Sequence, residues 1–297
     1  MSHNPAGPIV VGVDGSEAAL GAVGWAAAEA RLRRLPLRLV HATAEPSLAY
    51  SDSVPSAVDL AGLARRRGQR LLATAADVAR EAAPEVPVTA VVRAEQPGAA
   101  LLDEAARASL LVLGTPPVRF LGRAVAGSVT TALAAHAACP VAIVRPHVAE
   151  DEPPGAGPVV VGVDASPGGD EAIAAAFDEA CHRGAALVAV HVWDEAFLCS
   201  LFEETRRVLD RPAIEAHERE LLAQRLAGWR EKYPDVAVER MVARGRAADR
   251  LLDHAEYAQL IVVGSHGRGG FAGLPLGSTS QALITFASCP LLIARHD

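Results

Sequence analysis

The amino-acid sequence contains an internal duplication, and this duplication limits the possible folds more than any other feature. Residues 8–14 read PIVVGVD and residues 158–164 read PVVVGVD, so the two segments differ at one position and lie 150 residues apart. Other matching residues share that spacing: His41 and His191, Gly114 and Gly264, Gly127 and Gly277, Cys139 and Cys289. A period of this length is too long for a solenoid repeat. The 297 residues should therefore fold as two similar domains.

A stretch rich in proline, glycine and acidic residues separates the two copies. Residues 146–158 read PHVAEDEPPGAGP, a composition that is typical of an interdomain linker. We therefore expect a first domain over residues 1–147, a linker over 148–157 and a second domain over 158–297.

Each copy alternates short apolar runs with helical stretches. The predicted strands of the first copy are Ile9–Val13, Leu37–His41, Val86–Val92, Leu110–Leu113 and Val141–Val144. The predicted helices are Glu17–Arg34, Ser56–Ala83, Gly98–Ala108 and Ser128–Ala137. Nearly continuous apolar runs indicate strands buried on both faces, and strand–helix alternation indicates a parallel sheet with right-handed crossovers. We expect an α/β fold of two tandem Rossmann-like domains, each a five-stranded parallel sheet with helices on both faces.

Charge and composition exclude several classes of protein. A net charge of −7 disfavours a general affinity for nucleic acid. The chain contains no apolar run of the roughly 20 residues that span a bilayer, and residues 1–8 do not resemble a signal peptide. The four cysteines form no CxxC pair and are expected to be reduced thiols. We therefore expect a cytoplasmic protein that binds neither nucleic acid nor membrane.

The candidate ligand site follows from the expected sheet. Open parallel sheets bind ligands at the carboxyl ends of the strands, where the strand order reverses. If the order is 3-2-1-4-5, that point lies between strands 1 and 4. Asp14 and Asp164 follow strand 1 of the two copies, and Gly114 and Gly264 end strand 4.

The loop after Gly264 has the composition of an anion site. It reads GSHGRGGFAGLPLGS, and its glycines would let backbone N–H groups approach a ligand closely. The helix that follows would offer free N–H groups to a phosphate. Ser278 would either cap this helix or donate its hydroxyl to phosphate. A flexible loop with an ordinary serine cap would produce the same pattern.

Other phosphate and catalytic signatures are absent from the sequence. It contains no GxxxxGK[ST] loop, no GxGxxG turn after the first strand and no GxSxG elbow. Asp164 would accept hydrogen bonds from ribose hydroxyls or hold a metal, or else cap a helix in a turn. His41 and His191 end buried strands and are interpreted as core or rim histidines. Glu218-Arg-Glu220 is interpreted as part of a solvated helix face.

Together these features resemble the universal stress protein family. Its ATP-binding members carry G-x2-G-x9-G-[ST] after strand 4, which matches Gly264, Gly267, Gly277 and Ser278. The VGVD start and the closing Cys289-Pro strand are also similar to the family. The resemblance covers nearly the whole chain, twice over. It implies domains of the adenine nucleotide alpha hydrolase type.

The resemblance implies an adenine-nucleotide site in the second copy, with ATP as the ligand and Mg²⁺ as a candidate companion. Asp164 would contact ribose or a metal, Val192 would line the adenine pocket, and Gly277 would help hold phosphates. The full set of implied residues is Asp164, Ala165, Val192, Gly264, Gly267, Gly277, Ser278 and Thr279. We add Arg268 as a cation within the loop that would neutralise phosphate; a solvated surface arginine is the alternative.

The first copy departs from this pattern at one position. Its matching candidates are Asp14, Gly15, Ala42, Gly114, Gly127, Ser128 and Val129. Pro117 stands where the second copy has Gly267. Proline removes a backbone N–H donor and fixes φ near −65°. We therefore predict weaker or altered nucleotide binding in the first copy.

Three functions remain open at this point. The resemblance favours an ATP-binding regulatory module in stress response or dormancy, acting as a homodimer of tandem chains with a regulatory partner that the sequence does not name. The second is a slow ATPase or a nucleotidyl or phosphoryl transferase, which ranks lower because no general base is apparent in the sequence. The third is a protein-interaction module without nucleotide. We assign no catalytic residue.

Overall fold

A computed structural model of the chain describes residues 6–44, 59–116, 127–145, 156–164, 169–193, 210–267 and 276–295. These residues form two compact units, and the first unit lies within residues 6–145 and the second unit within residues 156–295. The units correspond to the two copies in the sequence. The exact domain and linker bounds given above stay a prediction.

The described part of the first unit alternates strands and helices. Its elements are β1 (Ile9–Gly12), α1 (Glu17–Arg33), β2 (Leu37–Ala42), α2 (Leu60–Ala82), β3 (Val88–Arg93), α3 (Pro97–Ala105), β4 (Leu110–Gly114), α4 (Ser128–His136) and β5 (Val141–Val144). All strand pairs are parallel, and the order is β3-β2-β1-β4-β5.

The second unit repeats this arrangement. Its described elements are β6 (Val159–Val163), α5 (Gly169–Arg183), β7 (Leu187–Trp193), α6 (Arg211–Lys232), β8 (Val238–Arg244), α7 (Ala247–His254), β9 (Leu260–Gly264), α8 (Ser278–Phe286) and β10 (Leu291–Ala294). Its order, β8-β7-β6-β9-β10, is the same order of parallel strands. The predicted fold class and the strand order 3-2-1-4-5 are therefore confirmed in both units.

Helices cover both faces of each sheet. In the first unit α1 packs with α2, and α3 packs with α4. Leu110, Leu111 and Val112 of the inner strand β4 are fully buried, as expected for strands covered on both sides. Burial of each such side chain stabilises the fold by about 1.5–3 kcal/mol. The apolar runs that predicted the strands are therefore also the core.

Several predicted bounds differ from the observed ones by one to four residues, and helix α3 ends at Ala105 rather than Ala108. Local hydrogen bonds explain two of the differences. Strand β3 begins at Val88 rather than Val86, because the Val86 N–H donates to Ala83 O within a turn. Helix α2 begins at Leu60, where the Asp59 side chain accepts from the Gly62 N–H at 2.7 Å. Asp59 is an ordinary N-cap that the sequence reading missed. Ser56, the predicted start, lies outside the described residues.

Candidate functional site

The structure brings Asp164 and Gly267 together at the reversal point of the second sheet. Asp164 directly follows β6, and β6 pairs with β9, which ends at Gly264. A Cβ atom built on Gly267 would lie 2.5 Å from Asp164 Oδ2. Any side chain at position 267 would therefore displace the carboxylate that the sequence analysis proposed as a ribose or metal ligand.

Hydrogen bonds fasten the base of the glycine loop. The Gly277 N–H donates to Ser265 O at 2.9 Å, and the Ser280 hydroxyl donates to Gly264 O at 2.8 Å. A Cβ atom on Gly277 would lie 3.7 Å from Gly267 N. The three glycines of the spacing motif are thus close neighbours, although they are spread over fourteen positions of the sequence.

Helix α8 starts at this base. Gly277 is its N-cap in an extended conformation, with φ −67° and ψ 152°, and no side chain in the described residues makes a capping hydrogen bond. The expectation that Ser278 caps the helix is wrong, because Ser278 is already its first helical residue. Ser278 is exposed and Thr279 is half-buried in the first turn. Within the described residues no side-chain cap therefore competes for the first-turn N–H groups of α8.

His191 connects the ends of β6 and β7 to α6. Its Nδ1 donates to Val163 O at 2.8 Å, and its Nε2 lies 2.7 Å from Glu218 Oε2. His191 is 2% exposed, and the Glu218 side chain is 15% exposed. The interpretation of Glu218 as part of a solvated helix face is therefore wrong. Val192, the predicted adenine neighbour, follows His191 and is half-buried.

The sequence contained a signal for this pair. Glu218 lies four residues after Ile214 and four before Leu222, and Leu222 and Leu226 are buried positions of α6. Positions spaced by four share one face of a helix. A carboxylate on this apolar stripe should have been expected to meet a partner in the protein interior.

Three residues that matter to the sequence interpretation lie outside the described part of the chain. They are Ala165 and Arg268, both predicted contacts of the second copy, and Pro117 of the first. The roles proposed for these three residues therefore stay predictions from the sequence.

In the first unit, the Asp14 side chain accepts hydrogen bonds from within its own turn. Its Oδ1 accepts from the Ser16 N–H at 2.8 Å and from the Ser16 hydroxyl at 2.6 Å. The Ser16 hydroxyl in turn accepts from the Ala19 N–H at 3.1 Å and caps α1. Asp14 thus holds the N-cap residue in place.

Two glycines of the first unit have structural roles. Gly15 has φ +88°, a conformation that suits glycine, and its Cβ position lies 2.7 Å from Leu71 Cδ2 of α2. A Cβ atom on Gly114 would overlap the carbonyl group of Ala18 and lie 2.7 Å from Ala19 N. Gly114 is therefore required for the close packing of β4 against the first turn of α1.

The remaining candidates of the first unit lie where the repeat predicts. Ala42 ends β2 and is half-buried. Gly127 is the N-cap of α4, again without a side-chain cap in the described residues, and Ser128 and Val129 are exposed in the first turn. His41 repeats the contact of His191, with Nδ1 2.6 Å from Val13 O. Gly68 occupies the position of Glu218.

Buried polar groups on α3 and α7 also differ between the units. In the first unit Glu104 accepts from Arg38 at 2.6 Å and from Arg93 at 2.9 Å, and these guanidinium groups, Arg38 foremost, lower the pKa of the Glu104 carboxyl. The second unit has His254 at this position, 5% exposed and hydrogen-bonded to the Tyr257 hydroxyl. Burial lowers the pKa of His254.

The described residues of the second unit also form a surface groove. This groove of about 520 Å³ lies between α5 and α6 and is lined by Asp170, Gln224, Arg225, Gly228, Trp229 and Lys232. None of the predicted contact residues lines it.

Across the described ranges, no cluster of three or more His, Cys, Asp or Glu side chains could hold a metal ion. None of the helices described has the length and apolar character needed to cross a membrane.

Comparison with known proteins decides the family. The model of the universal stress protein family matches residues 6–145 and, again, residues 156–295. The chain belongs to the universal stress protein family. A universal stress protein of Mycobacterium tuberculosis strain H37Rv is 39% identical over 300 residues, covering 100% of this chain and 99% of that relative. The predicted resemblance is confirmed over both copies.

A solved structure has the same fold. A universal stress protein from Archaeoglobus fulgidus superposes with a TM-score of 0.71 at 16% identity, covering 98% of this chain and 99% of that one. A universal stress protein family member from Arabidopsis thaliana, solved with AMP bound, covers 49% of this chain and 96% of its own at 21% identity, with a TM-score of 0.34.

Proposed function

We propose that this universal stress protein is an ATP-binding regulatory module whose main nucleotide site lies in the second unit. The observation that carries the proposal is the contact between the Asp164 carboxylate and Gly267 where the strand order reverses. A hydrogen-bonding side chain meets there a glycine whose enlargement would displace it, at a position where such sheets bind ligands.

Each part of the nucleotide has a candidate partner. Asp164 accepts hydrogen bonds from the ribose hydroxyls, and Val192 lies beside the adenine. Gly264 and Gly267 let the backbone approach ribose and phosphate. The uncapped first turn of α8 binds phosphate oxygens through its N–H groups, an arrangement in which the helix dipole favours negative charge. The complete proposed set is Asp164, Ala165, Val192, Gly264, Gly267, Arg268, Gly277, Ser278 and Thr279.

Asp164 also fits a role toward Mg²⁺. This ion is usually held by one or two carboxylates together with substrate phosphates, and it keeps several waters. One carboxylate beside a phosphate-binding helix end meets that requirement. Bound Mg²⁺ would neutralise part of the phosphate charge.

The first unit is proposed to bind nucleotide weakly. Its candidates remain Asp14, Gly15, Ala42, Gly114, Gly127, Ser128 and Val129. Asp14 Oδ1 already accepts two hydrogen bonds from Ser16, and a ligand that binds this oxygen would compete with them. Pro117 also removes an N–H donor at the position of Gly267.

Family membership supports the biological part of the proposal. We place the protein in stress response or dormancy, in the cytoplasm, as a homodimer of tandem chains. Nucleotide acts in this proposal as a signal that shifts conformation or partner choice rather than as a substrate that is turned over.

Thermal unfolding with ATP, ADP, AMP and GTP, followed by product analysis, tests the proposal. A ligand that binds only the native state raises the unfolding midpoint. We expect adenine nucleotides to raise the midpoint of the intact chain, with ATP recovered unchanged. Recovered ADP or AMP would instead indicate an ATPase or transferase. Unchanged midpoints with every nucleotide would contradict nucleotide binding and favour an interaction module.

A further inference from the structure

We propose that Glu218 and His191 are positioning residues of the nucleotide site in the second unit. The inference deepens the proposed function and rests on it, because it concerns how tightly that same site holds its ligand. It assigns a role to a glutamate of α6 that lies outside the spacing motif.

The first step is the contact between helix and strand. Glu218 Oε2 lies 2.7 Å from His191 Nε2, and both side chains are largely removed from solvent. A hydrogen bond to a charged group contributes more in such a setting than on the surface. Glu218 thereby fixes the orientation of the imidazole relative to α6.

The second step is the contact between the imidazole and the strand ends. His191 Nδ1 donates to Val163 O at 2.8 Å. Val163 directly precedes Asp164, and His191 directly precedes Val192. One ring therefore fastens the two strand ends that present the proposed ribose and adenine contacts.

The third step leads to the glycine loop. Asp164 Oδ2 lies 2.5 Å from the position of a Cβ on Gly267. Movement of the backbone at Val163 would carry the Asp164 carboxylate toward or away from Gly267. A continuous series of contacts thus connects Glu218 to the loop, and residues along such series modulate ligand affinity without touching the ligand.

The chemistry of the pair supplies a conservative variant. Nδ1 faces a carbonyl oxygen, which only accepts, so Nδ1 carries a hydrogen. The contact between Nε2 and Glu218 also needs one hydrogen, because neither a bare ring nitrogen nor a carboxylate donates. The amide of a glutamine donates its own hydrogen to Nε2. Glu218→Gln therefore preserves the contact, whereas Glu218→Ala removes it.

In the first unit, a glycine replaces the glutamate of this pair. Gly68 stands at the position of Glu218, and a Cβ there would lie 2.6 Å from His41 Cδ2 and 3.2 Å from Val92 Cγ2. The His41 ring thus packs directly against α2, with no room for a carboxylate. The histidine–glutamate pair occurs in the unit that also has Gly267, as expected if it serves the stronger site.

The test compares Glu218→Ala, Glu218→Gln and the control Glu231→Gln, an exposed glutamate on the same helix. ATP affinity of the full chain is measured by titration calorimetry, and the midpoint of the ligand-free protein is measured in parallel. We expect Glu218→Ala to weaken ATP binding about three- to tenfold. Glu218→Gln should stay within about twofold of wild type, and Glu231→Gln should not differ. A lowered midpoint of Glu218→Ala with unchanged affinity would make Glu218 a packing residue and overturn the proposal.

Hydrogen exchange of the ligand-free chain separates this proposal from the proposed function. Loss of the pair should speed exchange in residues 159–164 of Glu218→Ala but not of Glu231→Gln. If wild type binds no ATP, the proposed function fails. Faster exchange would still support Glu218 as the residue that holds the strand ends. Unchanged exchange would overturn the inference whatever the ATP result.

Discussion

In the first unit, Gly114 lies against the backbone of α1, whereas in the second unit Gly267 lies against the carboxylate of Asp164. Both glycines belong to the same repeated loop, and at both positions an added Cβ would overlap a neighbouring atom. The atoms that exclude it are a peptide group in one case and a potential ligand contact in the other. A glycine of this loop therefore has to be assigned to packing or to binding by the atoms that it meets.

Substitution at Gly114 should have the largest effect. In Gly114→Ala the added methyl overlaps the Ala18 carbonyl group, and a backbone neighbour has little freedom to move. We expect a loss of about 3 kcal/mol in the free energy of unfolding of the first unit. Urea unfolding followed by hydrogen exchange of residues 6–44 measures this. Gly98→Ala is the control, since nothing lies within 4 Å of its Cβ position. Equal stability of the two variants would refute the packing role.

Substitution at Gly267 should act on affinity rather than on stability. Its methyl would push against the Asp164 carboxylate, so Gly267→Ala should weaken ATP binding about a hundredfold, equivalent to about 2.7 kcal/mol. Gly267→Pro copies the first unit and should weaken binding at least as much. Calorimetric titration with ATP measures the effect.

The reciprocal variant sharpens this comparison. Pro117→Gly restores an N–H donor to the first unit, but Asp14 stays engaged with Ser16. We therefore expect a gain of about tenfold or less in the first unit. Unchanged affinity in both Gly267→Pro and Pro117→Gly would defeat the argument that this position sets the difference.

Acidification should produce the smallest difference between the units. The lowered pKa of His254 means that its contribution to stability is present above pH 6.5 and is lost as the pH falls through its folded value. The lowered pKa of Glu104 gives a contribution that persists down to about pH 4.5. Between these values the second unit should therefore lose stability, and the first unit should keep the Glu104 contribution.

Unit-resolved hydrogen exchange at pH 7 and pH 5 checks this expectation. His254→Gln, which cannot take up a proton, should reduce the loss in the second unit. The explanation fails if His254→Gln responds to acid as wild type does.

The sheet could be predicted from sequence because strand burial follows directly from apolar runs. The candidate site was harder to predict, because its contacts join residues from different strands, helices and loops. The positions of Asp164 and Gly264 follow from the repeat and the strand order, but the approach of Asp164 to Gly267 depends on the path of a loop. Glu218 was interpreted as a surface residue because it lies in a run of charges, although its spacing from the buried Leu222 places it on the apolar face of α6. The capping of α8 by Gly277 depends on backbone angles that a glycine does not specify.

The packing requirement for glycine at position 114 also bears on how the two copies of a duplicated binding protein diverge. A copy that stops binding its ligand is still constrained at every motif position that the fold itself needs. Glycine would persist at position 114 in such a copy, while the position of Gly267, which is Pro117 in the first copy, would be free to change. A sequence motif that is scored over all its positions therefore overstates the ligand binding of a copy that no longer binds. The informative positions are the ones where glycine touches a functional side chain rather than the main chain.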